Sequence, residues 1–423
     1  MKRILSIDIA RGLVMVIMAL DHVRDYLDTW SRTHSPTDLA STTPLMFFTR
    51  WITHFCAPTF VFLAGTSAAI QLVRSTDPRL TRRWLLRRGL LLIALEFSVV
   101  NFGLSFDPKF RLLIFEVIGT IGAGMIFLSF LSRLPYRWLL LLTALIFFGH
   151  DLLPLPPPMA MPAANSSLAY NILRSVGWSL GSFQPSPNLL IVIAYPILPW
   201  LGVMLAGFVA ARWFERPATD RRRLFLRAGL AALALFIILR FAIGYDDPDI
   251  RSRQPQQLFT LMSFLNVNKY PPSLPFCLLT LGGLCLFLAA IEKPSPQPAN
   301  GQPNSQPITG QPASQPHFGQ STPQPPAVSR ILLTYGRTPL FYFVIHLYLI
   351  HLILMVVLFA QGYSLSQLNF GPFQFGRPAT GGGLPTWCIY PIWIGIVAVM
   401  YPLCRWYSSY KSTHPEKKYL RYF

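Results

Sequence analysis

Charged side chains are scarce in this chain of 423 residues. Only 13% of the residues are Asp, Glu, Lys or Arg, whereas 52% are hydrophobic and the mean hydropathy is +0.42. A soluble chain of this length usually divides into two or three domains with charged surfaces. So little charge, combined with long apolar runs, excludes that class and indicates a membrane protein.

Acidic residues are the scarcer charged type, with 17 Asp and Glu against 36 Lys and Arg and a net charge of +19. Such an excess of basic residues is common in nucleic-acid-binding proteins, so their distribution along the chain has to be considered. With the N-terminus cytoplasmic, cytoplasmic segments hold 24 of the 36 basic residues and outer segments hold 10. This asymmetry follows the positive-inside rule, so we predict a protein of the cytoplasmic (inner) membrane with both termini cytoplasmic and no nucleic-acid partner. The ten predicted spans are residues 5–24, 52–73, 84–102, 112–132, 137–153, 189–210, 224–244, 273–291, 331–360 and 385–407.

Cysteine is rare as well, and its spacing favours neither disulfides nor a metal site. The five cysteines lie in or beside apolar spans, and none forms a C-x-x-C motif. Buried, inert thiols are typical of such a pattern. We therefore predict no metal.

Residues 292–329 differ from the rest of the chain because they are rich in Pro, Gln and Ser. They contain the near-duplicate peptides "GQPNSQPIT" and "GQPASQPHF". Such a composition cannot build a packed core and predicts a flexible cytoplasmic linker. The predicted fold is an all-α polytopic transmembrane helix bundle of about ten spans. Its parts are helices one to eight in 1–291, the disordered linker 292–329, helices nine and ten in 330–410, and a basic cytoplasmic tail at 411–423.

The first span carries ionisable groups that a simple membrane anchor does not need. Each costs roughly 2.5–3.5 kcal/mol at the bilayer centre, so such groups face partners or a wet cavity. Two interpretations stay open: Asp8 and Arg11 form a structural pair at i, i+3, or the polar face lines a pathway through the membrane. Because no small-residue cleavage site follows, we expect this span to be retained rather than removed as a signal peptide. At 100° per residue, about a third of the helix circumference holds Asp8, Arg11, Met15, Met18, His22 and Asp25.

Histidines in three spans are candidates for acid–base chemistry. His54 lies in "WITHFCAPTFVFLAG", at the same predicted depth as His22, and His346 lies in "GRTPLFYFVIHLYLIH". A histidine inside a membrane is more often a packed hydrogen-bonding residue than a catalyst. Asp21 and Asp25 flank His22, however, and a carboxylate can orient an imidazole as a general base.

Five motifs spread over most of the chain are specific when taken together. They are "SIDIARGLVMVIMALDHVRDYL", "WITHFCAPTFVFLAG", "PILPWLGVMLAGF", "KYPPSLPFCLLTLG" and "GRTPLFYFVIHLYLIH". Together they resemble bacterial members of the heparan-α-glucosaminide N-acetyltransferase family. The resemblance implies a bundle of transmembrane helices that takes an acetyl group from cytoplasmic acetyl-CoA. The acetyl group would pass to an amine or hydroxyl of a sugar or cell-envelope glycan on the outer side.

The resemblance also bears on which histidine is the base. The lysosomal enzyme has an asparagine where this chain has His22, and its catalytic histidine lies in the loop after the first span. That loop corresponds to residues 26–36, where His34 is the candidate by position. We take His22 as the leading general base, oriented by Asp21 or Asp25. The alternatives are His54, His34 and His346.

The donor, acyl-CoA, cannot cross the membrane and must reach a polar passage from the cytoplasm. Its phosphates need cationic groups at the cytoplasmic mouth. The competing explanation for the arginine cluster there is membrane orientation alone. A thioester is already activated, so acetyl-CoA transfer requires no metal. The candidates for the mouth and its wall are Asp8, Arg11, Arg82, Arg83, Arg87 and Arg88.

A transporter or flippase is the alternative function. Such a protein would also line a membrane cavity with Asp, Arg and His. It would be favoured by an internal repeat relating two halves of the chain. The only repeat in this sequence is the nonapeptide pair in the predicted linker, so the acyltransferase is preferred.

Overall fold

A computed structural model describes residues 4–152, 176–177, 181–243, 256–292, 326–417 and 420. Helices dominate this part of the chain. They are α1 (Leu5–Leu27), α2 (Pro44–Ile52), α3 (Cys56–Val73), α4 (Pro78–Leu95), α5 (Asn101–Ser105), α6 (Val117–Leu131), α7 (Tyr136–Gly149), α8 (Ile197–Ala210), α9 (Ala218–Ile238), α10 (Gln257–Leu265), α11 (Leu274–Ile291), α12 (Ala327–Arg337), α13 (Pro339–Ala360) and α14 (Ile389–Thr413).

Six helices within the described ranges are long and apolar enough to cross a membrane. The chain is therefore a membrane protein built mainly from helices. Helix α1 is not among the six, because it carries several charged residues. They are Asp8, Arg11, Asp21, Arg24 and Asp25. The ten-span count and the cytoplasmic location of both termini remain predictions. The six segments are Pro44–Val73, Ile197–Glu215, Ala218–Phe241, Leu274–Ile291, Pro339–Ala360 and Thr386–Thr413.

A small sheet corrects the all-α prediction. Its strands are β1 (Leu112–Phe115), β2 (Gly181–Ser186) and β3 (Leu189–Ile193), in the order β1-β3-β2. Strand β1 pairs parallel to β3, and β2 pairs antiparallel to it. The predicted spans 112–132 and 189–210 therefore begin as strands and continue as α6 and α8. Periodicity could not separate these cases, because a short apolar run looks alike in a buried strand and a buried helix.

The predicted span 331–360 is two helices rather than one. Helix α12 ends at Arg337 and α13 begins at Pro339, with Thr338 between them in a non-helical conformation. A proline disfavours the helical conformation of the residue before it, so the break falls at Thr338.

Helix α1 packs against α3, α12, α13 and α14. Its contact with α12 is close because glycines lie on both helices. A Cβ atom on Gly12 would overlap the carbonyl oxygen of Leu332, and one on Gly336 would overlap that of Asp8. Small residues of this kind let helix backbones approach within a membrane.

Helix α4 widens into a π-helical turn that begins at Glu96. The Glu96 carboxylate is fully buried and accepts hydrogen bonds from the backbone N–H of Glu116 at 2.8 Å and of Gly119 at 3.1 Å. A carboxylate there satisfies N–H groups that the first turn of α6 leaves unpaired. Asn101 holds the adjoining strand, since its Oδ1 accepts from the N–H of Ile114 at 2.6 Å. These bonds fix the position of Glu116 between β1 and α6.

The segment between α13 and α14 covers one end of α1. Arg377 donates from Nε to the carbonyl oxygen of Tyr26 at 3.1 Å and from a terminal nitrogen to that of Asp25 at 2.5 Å. A cation bound to the last carbonyl groups stabilises a helix C-terminus.

Most of the predicted linker, residues 293–325, lies outside the described residues. Glu292, which the sequence assigns to the linker, belongs to the bundle. Its carboxylate accepts a hydrogen bond from Ser6 Oγ at 2.6 Å and forms an ion pair with Arg221. The predicted tail likewise overlaps α14, which runs to Thr413.

Candidate active site

Two adjoining cavities lie along one face of α1. The first, here named the Arg11 cavity, has a volume of about 280 Å³ and is lined by Arg11 and Met15 of α1. The second, the His22 cavity, has a volume of about 250 Å³ and is lined by His22 among other α1 residues. At 1.5 Å per residue, about 16 Å along the helix axis separates Arg11 from His22. Both cavities are bordered by Phe60, Val117 and Phe343.

The Arg11 cavity combines two guanidinium groups with mostly apolar walls. Arg11 donates to the carbonyl oxygen of Leu63 at 3.0 Å and to Ser67 Oγ at 2.6 Å, which ties α1 to α3. Arg88 of α4 lies over the ring of Trp84, 5.2 Å from its centroid. Two cations on the wall of one cavity favour an anionic ligand.

The structure brings together two of the six residues predicted for the donor mouth, Arg11 and Arg88. Asp8 lies 3.9 Å from Arg11 but is buried beneath α12 and does not line the cavity. Arg82 and Arg83 share a different cleft beside the loop that follows α6, Arg82 also borders a second cleft there, and Arg87 is exposed. The reason is helical geometry, because only one face of α4 looks toward α1 and α6.

His22, in the wall of the His22 cavity, is hydrogen-bonded to a second imidazole, that of the fully buried His346 behind it. Nδ1 of His22 lies 2.8 Å from Nε2 of His346, and Nδ1 of His346 lies 2.9 Å from the carbonyl oxygen of Tyr342. A carbonyl oxygen can only accept, so Nδ1 of His346 carries the proton and its Nε2 is the acceptor. His22 then donates from Nδ1. Its own Nε2 keeps an unshared electron pair, which is the atom that a general base uses.

Asp21 and Asp25, predicted to orient His22, form ion pairs with arginines instead. Asp21 contacts Arg24 and Arg50, each at 2.7 Å, and Asp25 contacts Arg24 at 2.6 Å. The i, i+3 spacing brings Arg24 to Asp21. Asp25 is also three residues from His22, but its carboxylate pairs with the adjacent Arg24 instead. His346 thus makes the hydrogen bond to His22 that the sequence analysis assigned to Asp21 or Asp25.

The other candidate histidines lie away from the cavity walls. His54 is buried, with its ring edge-on to Phe276 at 5.5 Å between centroids. His34 is exposed and stacks on Trp30 at 5.0 Å. Neither lines the His22 cavity.

Several polar side chains of the His22 cavity were not identified from the sequence. Lys269 is only 8% exposed and lies over the ring of Tyr270, 5.0 Å from its centroid. Burial raises the pKa of the Tyr270 hydroxyl, but the Lys269 ammonium and the Arg50 guanidinium outweigh burial and hold that pKa below its usual value. Lys269 and Tyr270 open the motif "KYPPSLPFCLLTLG", which contributed to the family resemblance and could have drawn attention to them. The cavity residues missed are Arg50, Glu116, Tyr195, Lys269, Tyr270 and Phe375.

These features define a helical membrane protein with a polar cavity and an imidazole pair inside its bundle. The family model described as "Heparan-alpha-glucosaminide N-acetyltransferase, catalytic" matches residues 3–239. The chain belongs to this family of membrane acyltransferases. The matched region includes Arg11, His22 and Arg88, whereas Lys269 and His346 lie beyond it. No curated protein matches the chain.

Proposed function

We propose that the protein transfers an acetyl group from acetyl-CoA, held in the Arg11 cavity, to an acceptor in the His22 cavity. The observation that carries this proposal is the position of His22. Its imidazole has one nitrogen engaged with His346 and the other available, and it lines a cavity that adjoins the cationic one. The acceptor is an amine or hydroxyl of a sugar or cell-envelope glycan.

The donor binds with its phosphates near Arg11 and Arg88. Charge-assisted hydrogen bonds from guanidinium groups suit phosphate oxygens better than ammonium groups do, because the planar donors can bind two oxygens at once. The apolar walls of the cavity, including Met15 and Ile121, suit the uncharged pantetheine arm. The arm carries the thioester past the shared border of the two cavities toward His22.

His22 acts as the general base. The acceptor nitrogen or oxygen attacks the thioester carbonyl carbon while Nε2 of His22 takes the acceptor proton. The tetrahedral intermediate then collapses, the carbon–sulfur bond breaks, and CoA leaves as a thiolate that receives the proton from His22. His346 is a positioning residue, because its Nε2 holds the His22 proton on Nδ1 and thereby keeps Nε2 of His22 unprotonated.

Lys269 stabilises the oxyanion of the tetrahedral intermediate. The ammonium group forms no ion pair with a carboxylate within the described part of the chain, and it lies in the wall of the same cavity as His22. A preorganised cation in a site shielded from water stabilises developing negative charge more strongly than water does. Arg50 cannot take this role as readily, because Asp21 already neutralises it.

The two ends of the pathway have different predicted locations. The Arg11 cavity lies near the N-terminal half of α1, which the charge distribution assigns to the cytoplasmic side. The His22 cavity lies nearer the C-terminal end, toward the outer side. This orientation delivers a cytoplasmic acetyl group to an acceptor outside the cell membrane.

Isothermal titration of the purified full chain with acetyl-CoA and with free CoA tests the proposal. The variant Arg88→Gln removes one cation from the Arg11 cavity, and Arg87→Gln is its matched control because the neighbouring guanidinium is exposed and lines no such cavity. A lost charge-assisted hydrogen bond is worth about 1.5–3 kcal/mol, so Arg88→Gln should weaken binding about ten- to a hundredfold. Arg87→Gln should bind as the wild type does. Absence of binding to the folded wild type would overturn the proposal and favour a transporter.

A further inference from the structure

A third cavity lies apart from the two already described. It is a cleft of about 920 Å³ between α12 and the last turns of α14, here named the basic cleft. Its only aliphatic lining residue is Leu333, and the rest of the described lining is cationic or carries a hydroxyl group. The cations are Arg330, Arg337, Arg405 and Lys411.

The charge of the basic cleft indicates an anionic ligand. No acidic side chain is among its lining residues in the part of the chain that the structure describes. Hydroxyl groups, such as those of Thr334 and Ser409, can donate to phosphate oxygens alongside the guanidinium groups. Four cations with hydroxyl donors around one concave surface match the chemistry of a phosphate group.

The position of the cleft separates it from the proposed acetyl-CoA site. None of its lining residues is shared with the Arg11 cavity. Because Gly336 of α12 packs against Asp8, the cleft lies at the same end of the bundle as the N-terminus of α1. The charge distribution places that end at the cytoplasmic leaflet.

The helix that forms one wall of the cleft also faces outward from the bundle. On α14, Trp406 is 60% exposed, and Leu403 and Val399 are exposed as well. Tryptophan is enriched at the membrane–water interface, and an apolar helix surface leading to it suits acyl chains. A ligand for this cleft therefore needs both a phosphate group and a membrane-embedded part.

We propose that the basic cleft binds the phosphate headgroup of an anionic phospholipid of the cytoplasmic leaflet. Basic pockets between transmembrane helices on the cytoplasmic side are suited to such headgroups. The acyl chains lie along α14 beside Trp406, while Arg337 and Arg405 contact the phosphate. A free phosphate would contact Arg337 and Arg405 but would make none of the apolar contacts along α14.

The test titrates the full-length protein in neutral detergent with short-chain phosphatidylglycerol, short-chain phosphatidylcholine, inorganic phosphate or free CoA. The double variant Arg337→Gln/Arg405→Gln removes two cleft cations. Arg222→Gln is the control, because this arginine is exposed on α9 and lines none of the cavities described. Binding is followed by microscale thermophoresis, and folding of each variant by its elution as a single peak in size-exclusion chromatography.

We expect phosphatidylglycerol to bind the wild type and Arg222→Gln equally, and the double variant on the order of tenfold more weakly. Phosphatidylcholine should bind weakly to all three. The proposal is overturned if inorganic phosphate binds as tightly as phosphatidylglycerol, or if the control loses as much affinity as the double variant. Displacement of phosphatidylglycerol by CoA would also overturn it, because the cleft would then be part of the donor site. Failure of Arg88→Gln to weaken CoA binding would reject the proposed donor site and leave this result untouched.

Discussion

Nδ1 of His22 lies 2.8 Å from Nε2 of His346, and the planes of the two imidazoles differ by only 16°. The residues are 324 positions apart in the chain. The contact therefore depends on the packing of α13 against α1. Its chemical consequence is that one nitrogen of His22 is committed to His346 and the other is left to accept a proton.

The imidazole pair predicts a graded loss of activity. His22→Ala should lower turnover by about 10²–10⁴, the usual contribution of a general base, with little change in CoA affinity. His346→Ala removes only the orienting acceptor, and a lost hydrogen bond that leaves its partner unsatisfied costs about 1–3 kcal/mol, so turnover should fall by roughly ten- to a hundredfold. Turnover is measured as CoA release from acetyl-CoA with glucosamine as the acceptor. His414→Ala serves as the control, because His414 lies at the end of α14 and lines neither cavity. Near-normal turnover of His22→Ala would refute the assignment, and His54→Ala and His34→Ala would then be the substitutions to test.

Removal of the Lys269 cation should affect the chemical step rather than donor binding. Loss of one oxyanion donor costs about 10²–10³ in kcat, so Lys269→Gln should lose activity on that order while KM for acetyl-CoA stays near the wild-type value. Lys269→Arg should recover part of kcat because it restores the charge. Lys109→Gln is the control, since that lysine is exposed on a loop. A rise in KM without a fall in kcat would show that Lys269 binds a substrate instead.

The Phe343 side chain should limit unproductive hydrolysis of the thioester. Phe343 borders both cavities and lies edge-on to His22, with 6.3 Å between ring centroids. Phe343→Ala widens the border and admits water beside the base, so CoA release without acceptor should rise. Phe341→Ala is the matched control, because Phe341 stacks on Tyr407 and lines neither cavity. Unchanged acceptor-free hydrolysis in a variant that still binds CoA would contradict this role.

The packing of α1 against α12 predicts a large effect from one added methyl group. In Gly12→Ala the new Cβ overlaps the Leu332 carbonyl oxygen, and overpacking of this kind costs about 1–3 kcal/mol. The midpoint temperature of thermal unfolding of the purified protein should therefore fall. Gly149→Ala is the control because no atom lies within 4 Å of a Cβ at that position. Equal midpoint temperatures for the two variants would show that α1 and α12 can move apart without loss of stability.

Membrane orientation can be tested with cysteine labelling. The charge distribution predicts Ser305 on the cytoplasmic side, and exposed Ser35, beyond the C-terminal end of α1, on the outer side. In a background in which partly exposed Cys388 is replaced by alanine, Ser35→Cys should react with an impermeant maleimide in intact cells. Ser305→Cys should react only after the membrane is opened. Labelling of both from the same side would contradict the predicted topology.

Local features of the sequence were sufficient to predict the membrane class and the polar face of α1. Hydropathy and helical periodicity depend on residues that are neighbours along one helix, so they do not require knowledge of packing. Met15 and Arg11 lie in the wall of one cavity, and Met18 and His22 in the wall of the next. The small sheet was missed because an apolar run of four or five residues carries no period that separates strand from helix.

The partners that site residues have on other helices were decided by tertiary structure. Asp21 could have faced either His22 or an arginine as far as the sequence shows. It pairs with Arg24 one helical turn away and with Arg50 from α2. Likewise, the sequence could not distinguish among the four arginines of α4 assigned to the donor mouth, and only the face that α4 presents to the Arg11 cavity selected Arg88.

The sequence by itself determined that this chain spans a membrane, that α1 carries ionisable groups along one face, and that its motifs are those of a membrane acyltransferase family. The tertiary structure decided that His346 meets His22, that Lys269 reaches the same cavity from a loop, and that two cavities meet at Phe343. The difference has a physical reason. Burial in lipid and helix periodicity follow from neighbouring residues, whereas the direction of a hydrogen bond depends on which distant helix packs against the side chain.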